Sequence, residues 1–261
     1  MLLTIDVGNS DTKLAFFARD AQARPRELVR HWRVTTVQRQ TADELGVCFT
    51  ALFERADISH GDVRAIIIAS VVPQHDRVLT EACRQYFGID PQFFTAATQD
   101  LVAVDTERPK EVGADLIAAT LGARDSFGAP LIVIGFGTAT TFSAVSADGV
   151  FLGAAIAPGI QVSIDGLIAR AAKLPQVALD GPSSPYGRDT TGALQAGIVY
   201  GFVGQTEGLV ARLKAVLGEH TRVIATGGLA PLIASHTHAI DAVEPDLVHH
   251  GLRVYYERAL T

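Results

Sequence analysis

Leu2-Leu3-Thr4-Ile5-Asp6-Val7-Gly8-Asn9-Ser10-Asp11-Thr12-Lys13 reads as an apolar strand, a tight polar turn and the start of a second strand. A related stretch recurs as Leu131-Ile132-Val133-Ile134-Gly135-Phe136-Gly137-Thr138-Ala139-Thr140-Thr141-Phe142. Laid over each other without a gap, Ile5 falls on Ile134, Gly8 on Gly137 and Thr12 on Thr141, whereas Asp6 falls on Gly135. Backbone amides and hydroxyls in such a turn can wrap phosphate oxygens, because glycine lets the main chain approach closely. Two copies imply an α/β chain with two similar halves, each offering a phosphate turn to a nucleotide triphosphate.

Asp6 stands at the mouth of the first turn, where a carboxylate can take Mg²⁺ bound to ATP, since Mg²⁺ favours oxygen ligands and phosphate partners. The plainer reading is a turn carboxylate bonding its own backbone. The company of Gly8, Asn9, Ser10, Asp11 and Thr12 supports the first. Lys13 either reaches phosphate or is a solvated strand residue. Gly113-Ala114-Asp115 precedes an apolar helix. There Asp115 either complements the helix macrodipole or orients a substrate hydroxyl for phosphoryl transfer. Thr138, Thr140 and Thr141 are phosphate ligands or turn hydroxyls. Gly227-Gly228 is an adenine-facing backbone or a simple strand-to-helix turn. His236-x-His238 and His249-His250 lack supporting ligand spacing and read as surface residues. Trp32 reads as core.

The 261 residues suffice for one large domain or two ordinary ones, and 48% hydrophobic against 19% charged is the composition of a packed globule. A net charge of −6 argues against a nucleic-acid partner. Cys48 and Cys83 form neither a metal motif nor a disulfide framework, which suits a reducing cytosol. No basic region precedes the first apolar run, and Asp6 interrupts it, so no signal peptide is expected. The uncharged run Gly128 to Ala147 suits buried strands better than a membrane helix. A soluble, cytoplasmic protein with no membrane partner is expected.

Along the chain, strands are expected at Leu14–Phe17, His31–Thr36, Ala65–Pro73, Phe93–Phe94, Gly149–Ala154 and Arg222–Thr226. Thr41 and Glu44 form a capping box that opens a helix. Further helices are expected at Val78–Tyr86, Ala114–Ser126, Pro158–Leu174 and Leu247–Leu260, with Thr190–Leu217 as two helices or one broken helix. The connection around Ala97–Val112 divides the chain into halves 1–112 and 113–261, with the last helix a candidate to pack back on the first half.

These pieces, taken together, resemble the type III pantothenate kinases, members of the actin/sugar-kinase/heat-shock ATPase superfamily. The resemblance rests on Asp6-Val7-Gly8-Asn9-Ser10, Trp32-Arg33-Val34-Thr35-Thr36, Ser70-Val71-Val72-Pro73 and Glu111-Val112-Gly113-Ala114-Asp115. It continues through Phe136-Gly137-Thr138, Gly153 to Gly159, Ala171-Ala172-Lys173-Leu174-Pro175, Gly197 to Gly201 and Ala225 to Ala230. It implies two RNase H-like domains related by duplication, with the nucleotide cleft between them. It also implies a homodimer that phosphorylates pantothenate with ATP and Mg²⁺, the first step toward coenzyme A. By position, Asp6 to Lys13 and Thr138 would hold ATP, with Asp6 on Mg²⁺. Asp115 would be the catalytic base, and Gly113, Ala114, Leu116 and Thr190 would line the pantothenate site.

Two departures stand out. The family usually has Asp at position 135, helping to hold K⁺ or NH₄⁺, where this chain has Gly135. It usually has Arg at position 116, where this chain has Leu116, which loses a charge and every donor. Arg108, Lys110 and Arg124 are candidate substitutes. Besides the active kinase, the departures leave two other readings open: a degenerate nucleotide-binding regulator, and a kinase of a related hydroxy acid.

Overall fold

A computed structural model describes residues 1–19, 25–37, 39–171 and 174–259. Ala172 and Lys173 of the motif above, and Leu260 at the expected end of the last helix, lie outside the described residues. The chain divides into two compact units, the first Met1–Ala103, Glu107–Asp125 and Leu247–Thr261, the second Val104–Thr106 and Ser126–Asp246. This division groups residues 107–125 and the last helix with the first unit.

The first unit holds strands β1 (Leu2–Val7), β2 (Asp11–Arg19), β3 (Pro25–Thr35), β4 (Ala65–Ser70) and β5 (Gln92–Phe94), ordered β3-β2-β1-β4-β5. The β1–β2–β3 meander is antiparallel, and β4 and β5 add in parallel. The second unit holds β6 (Leu131–Phe136), β7 (Ala139–Val145), β8 (Phe151–Pro158), β9 (Arg222–Thr226) and β10 (Ala242–Val243), ordered β8-β7-β6-β9-β10 when read from its antiparallel edge. Again three strands are antiparallel and two are parallel additions. Each unit thus has one mixed sheet of identical topology, as a duplication requires.

The gap-free overlay fails at the turn. Val7 pairs with Thr12 across four intervening residues, whereas Phe136 pairs with Thr140 across three. The second turn is therefore one residue shorter. Thr140, not Thr141, is the counterpart of Thr12, and Thr141 that of Lys13.

Helices cover the sheets. In the first unit, α1 (Ala42–Glu54) starts on the expected capping box: the Glu44 amide donates to Thr41 Oγ1 at 3.2 Å and the Thr41 amide to Glu44 Oε2 at 2.8 Å. Next, α2 (Pro73–Phe87) has Pro73 at its first turn, where a missing N–H costs nothing. Leu3, Ile5, Val7, Leu14 and Phe16 pack on Phe49 and Phe53 of α1 and Leu79 of α2. Trp32 is half-buried and stacks on Phe53 at 5.3 Å. The opposite sheet face meets α7 (Leu247–Ala259), and α7 crosses α3 (Ala114–Phe127) where a Cβ on Gly251 would fall 1.9 Å from Ala118 O.

In the second unit, Ile132, Ile134, Phe136 and Phe142 pack on α4 (Ile160–Arg170), α5 (Thr190–Leu217) and α6 (Ala230–Ala234). Three expectations change here. Ala155–Pro158 continue strand β8 because they pair with Phe142–Ala139, so the helix starts only at Ile160 and stops at Arg170. Thr190–Leu217 is one helix of 28 residues, and α6 and β10 are additions.

Candidate active site

Strand side chains alternate, so Thr4 and Asp6 share one face of the first sheet with their partners Ala15 and Lys13. Lys13 Nζ lies 3.6 Å from Asp6 Oδ2. Asp6 is only 8% exposed. Burial pushes its carboxyl up to about 6, Lys13 opposes that rise, and the Asp115 carboxylate adds to it. Asp115 sits in the first turn of α3, where the Leu116 amide donates to its Oδ1 at 2.9 Å. Burial raises this carboxyl above the usual range, and the Leu116 amide works against the rise. Asp6, Lys13 and Asp115 thus form one electrostatic group within the first unit.

Glycine at 113 is a steric requirement of that arrangement. A Cβ there would stand 2.5 Å from Asp115 Oδ1 and 3.7 Å from Val71 Cγ1. The carboxylate folds back over bare backbone, beside the loop leaving β4. Ala114 is buried and Leu116 half-buried in the same turn.

The first turn is closed by Gly8 N–H donating to Asp11 O at 2.9 Å. The end of β3 braces it: Thr36 Oγ1 donates to Gly8 O at 2.8 Å and lies 2.9 Å from Thr12 Oγ1. Thr12 is buried with its hydroxyl committed to this brace, and Asp11 is paired with Arg33. Asn9 and Ser10 form the exposed tip.

The second turn is built differently. Gly137 N–H donates to Ala139 O at 3.1 Å, and Gly159 N–H donates to Thr138 O at 3.0 Å. Two neighbours crowd it from the backbone side. A Cβ at Gly159 would meet Gly137 O at 2.3 Å, and one at Gly227, whose φ is +102°, would meet Phe136 O at 2.3 Å. Thr138 is exposed, whereas Thr140 is buried and donates to Pro158 O at 3.3 Å. At Gly135 no carboxylate exists, and Thr141 Oγ1 stands 2.8 Å from the place a Cβ would take.

Thr190 is the exposed first residue of α5 in the second unit, behind its N-cap Asp189, which accepts from the Gly192 amide at 2.8 Å. Of the candidate substitutes for an arginine at 116, Arg108 pairs with Glu111 and Arg124 donates to Leu101 O. Lys110 is exposed and makes no hydrogen bond or ion pair among the described residues.

The histidines correct the sequence reading. His249 is 2% exposed, and His236 and His250 are half-buried, so only His238 of the four is a surface residue. His249 shares the face of Asp6 and Lys13, with Nδ1 2.8 Å from Thr4 Oγ1. Its spacing with Leu252 and Tyr255 along one helical face was the available signal. Among the described residues no helix is long and apolar enough to cross a membrane, and no group of three His, Cys, Asp or Glu residues is placed to hold a metal.

Two solved structures share this fold. A Campylobacter jejuni protein described as a Baf family transcriptional activator aligns over 98% of this chain and 97% of its own, with TM-score 0.59 at 18% identity. A Sinorhizobium meliloti protein described as a 2-dehydro-3-deoxygalactonokinase aligns over 100% of this chain and 98% of its own, with TM-score 0.57 at 13% identity. In sequence, the family model for type III pantothenate kinase matches residues 2–212. The type III pantothenate kinase of Moorella thermoacetica is 43% identical over 258 residues, 99% of each chain. That of Roseiflexus sp. is 44% identical over 257 residues, 98% of each. This chain belongs to the type III pantothenate kinase family.

Proposed function

We infer that this chain transfers the γ-phosphoryl group of ATP to the hydroxyl of pantothenate, giving 4′-phosphopantothenate, the first step of coenzyme A biosynthesis. Beyond family membership, one observation supports this above others: Asp115 is fixed by the Leu116 amide over a bare glycine, in electrostatic reach of the Asp6–Lys13 pair. Phosphoryl transfer through a loose transition state needs positioning and charge stabilisation more than strong base catalysis. Asp115 accepts the hydroxyl proton and aims the oxygen. Lys13 offsets charge on the transferred group, and Asn9 and Ser10 at the turn tip, with Gly8 behind them, meet the phosphates. Thr138 of the second turn is assigned to ATP by the same family resemblance. Gly113, Ala114, Leu116 and Thr190 are assigned to pantothenate.

A Mg²⁺ arriving with ATP brings phosphate and water ligands and needs only one or two protein carboxylates, a demand Asp6 meets. When bound there, it would supply positive charge against the β- and γ-phosphates. A monovalent cation fits poorly at Gly135, which offers no carboxylate, so weak dependence on K⁺ is proposed. A cytoplasmic homodimer is proposed too. Edge strand β8 exposes Leu152 and Ile156 on one face, the latter 71% exposed, and α4 exposes Val162 and Leu167. Solution mass checks the dimer.

The test is direct. Purified protein is incubated with ATP, Mg²⁺ and pantothenate, and the product mass is read beside a panel of other hydroxy acids. Phosphopantothenate is expected. Turnover on another acid alone, or MgATP binding with no turnover, contradicts the assignment.

A further inference from the structure

The second unit carries a cavity of about 450 Å³ away from its glycine turn. It lies at the amino-terminal ends of β9 and β10, where Arg222 begins β9 and Asp241 immediately precedes β10. Thr226 ends β9 four residues on, about 13 Å along the strand. Gly227, which presses on the second turn, belongs to that far end, so phosphoryl transfer as described does not use this cavity. Its size falls within the roughly 300–1,000 Å³ of small-molecule sites.

Its floor is apolar and its rim is charged. Val223 and Ala225 join the apolar core, which leaves Arg222 and Ile224 on the other face of β9. Ile224 is buried and Phe127 half-buried in the cavity wall. Around them stand Lys214 and Arg222, with Glu219 and Asp241, two charges of each sign. Lys214 sits in the last turn of α5, and its carbonyl accepts from the Gly218 amide at 2.7 Å. The Thr221 amide and hydroxyl both donate to Gly218 O, at 3.1 and 2.7 Å, and hold the turn that carries Glu219. Asp241 is clasped to β9: its amide donates to Val223 O at 2.9 Å, and its Oδ2 accepts from the Val223 amide at 2.7 Å. Its Oδ1 has no hydrogen-bond partner among the described residues. The side chains of Lys214, Arg222 and Glu219 likewise make no ion pair or hydrogen bond among them. Charges of both signs thus line one cavity without pairing across it, Lys214 while half-buried.

We propose that this cavity is a second ligand site, for a small zwitterion with an apolar body: a free α-amino acid such as phenylalanine or leucine. Its carboxylate meets Arg222, whose planar fork suits that group, and Lys214. Its ammonium meets Asp241 Oδ1 and Glu219, and its side chain covers Ile224 and Phe127. A plain anion would face two carboxylates, and a plain amine two cations. Only a ligand with both charges answers all four. The site stands whichever acid the first unit phosphorylates.

The test titrates the whole chain by calorimetry with L-phenylalanine and L-leucine. Beside them run hydrocinnamate, which lacks the ammonium, and phenethylamine, which lacks the carboxylate. Saturable binding of an amino acid with a Kd of about 1 mM is expected. Both analogues should bind about tenfold more weakly or worse, the worth of one charge-assisted hydrogen bond. Arg222→Gln and Asp241→Asn should each weaken amino-acid binding about tenfold as well. The Asn keeps an oxygen for the Val223 amide, and thermal unfolding checks that both variants fold. Lys214→Gln, on α5 rather than at β9 or β10, replaces either one that does not. No saturable binding of either amino acid, an analogue that binds as tightly, or affinity unchanged in the folded variants would overturn the proposal.

Discussion

The two hairpins have the same strand order and opposite electrical character. In the first, a buried acid faces a lysine across the ladder, Asp6 against Lys13; in the second, the same register holds Gly135 against Thr141. The first turn is long, braced by Thr36 and tipped by Asn9 and Ser10. The second is a residue shorter and pressed by Gly159 and Gly227. One sheet can therefore serve charge and the other close backbone approach, and a duplicated topology does not oblige both halves to carry the same chemistry.

Breaking the charged half should have the largest effects. Asp115→Asn should lower kcat by about a thousandfold, within the range of lost proton acceptance, while MgATP affinity holds. Asp6→Asn should cut kcat/KM for MgATP about a hundredfold through lost charge stabilisation. Gly113→Ala should lower kcat about tenfold or more, because its Cβ displaces the Asp115 carboxylate and small misplacements are costly. Steady-state kinetics read all three.

Asp6 also carries a stability cost that Gly135 lacks. Its carboxyl is held at about 6 in the fold against 3.8 ordinarily, so the folded chain binds the proton more tightly. The stability this gives is fully present below 3.8 and is lost as pH rises through 6, about 3 kcal/mol across the window. Urea unfolding at pH 4.5 and 8 should show about 2 kcal/mol of that loss, and Asp6→Asn should flatten it. The smallest effect is expected at Gly135→Asp: Thr141 must turn aside, and rates with K⁺ exchanged for Na⁺ should begin to differ by a few-fold, about one hydrogen bond's worth. Wild type should respond weakly.

Local patterns were legible in the residues alone. The capping box at Thr41 and Glu44, strand β9 and the two glycine turns are set by neighbours a few positions apart. What escaped was non-local or featureless. Ala155–Pro158 lack helical or strand period, and only pairing with β7 makes them strand. The shorter second turn is invisible in a gap-free overlay because Thr140 and Thr141 are adjacent and alike. For the site, Asp6 and Asp115 stood out by their turns, whereas His249 needed its partner Thr4, 245 positions away, to show that it is buried and bonded.

The central claim is that the first unit's carboxylates run phosphoryl transfer to pantothenate. Phosphorus NMR of a reaction holding MgATP and pantothenate tests it most directly, run with wild type and with Asp115→Asn at matched nucleotide saturation. A phosphate monoester on pantothenate should form with wild type and be nearly absent with the variant. Equal ester formation by both proteins would contradict the account.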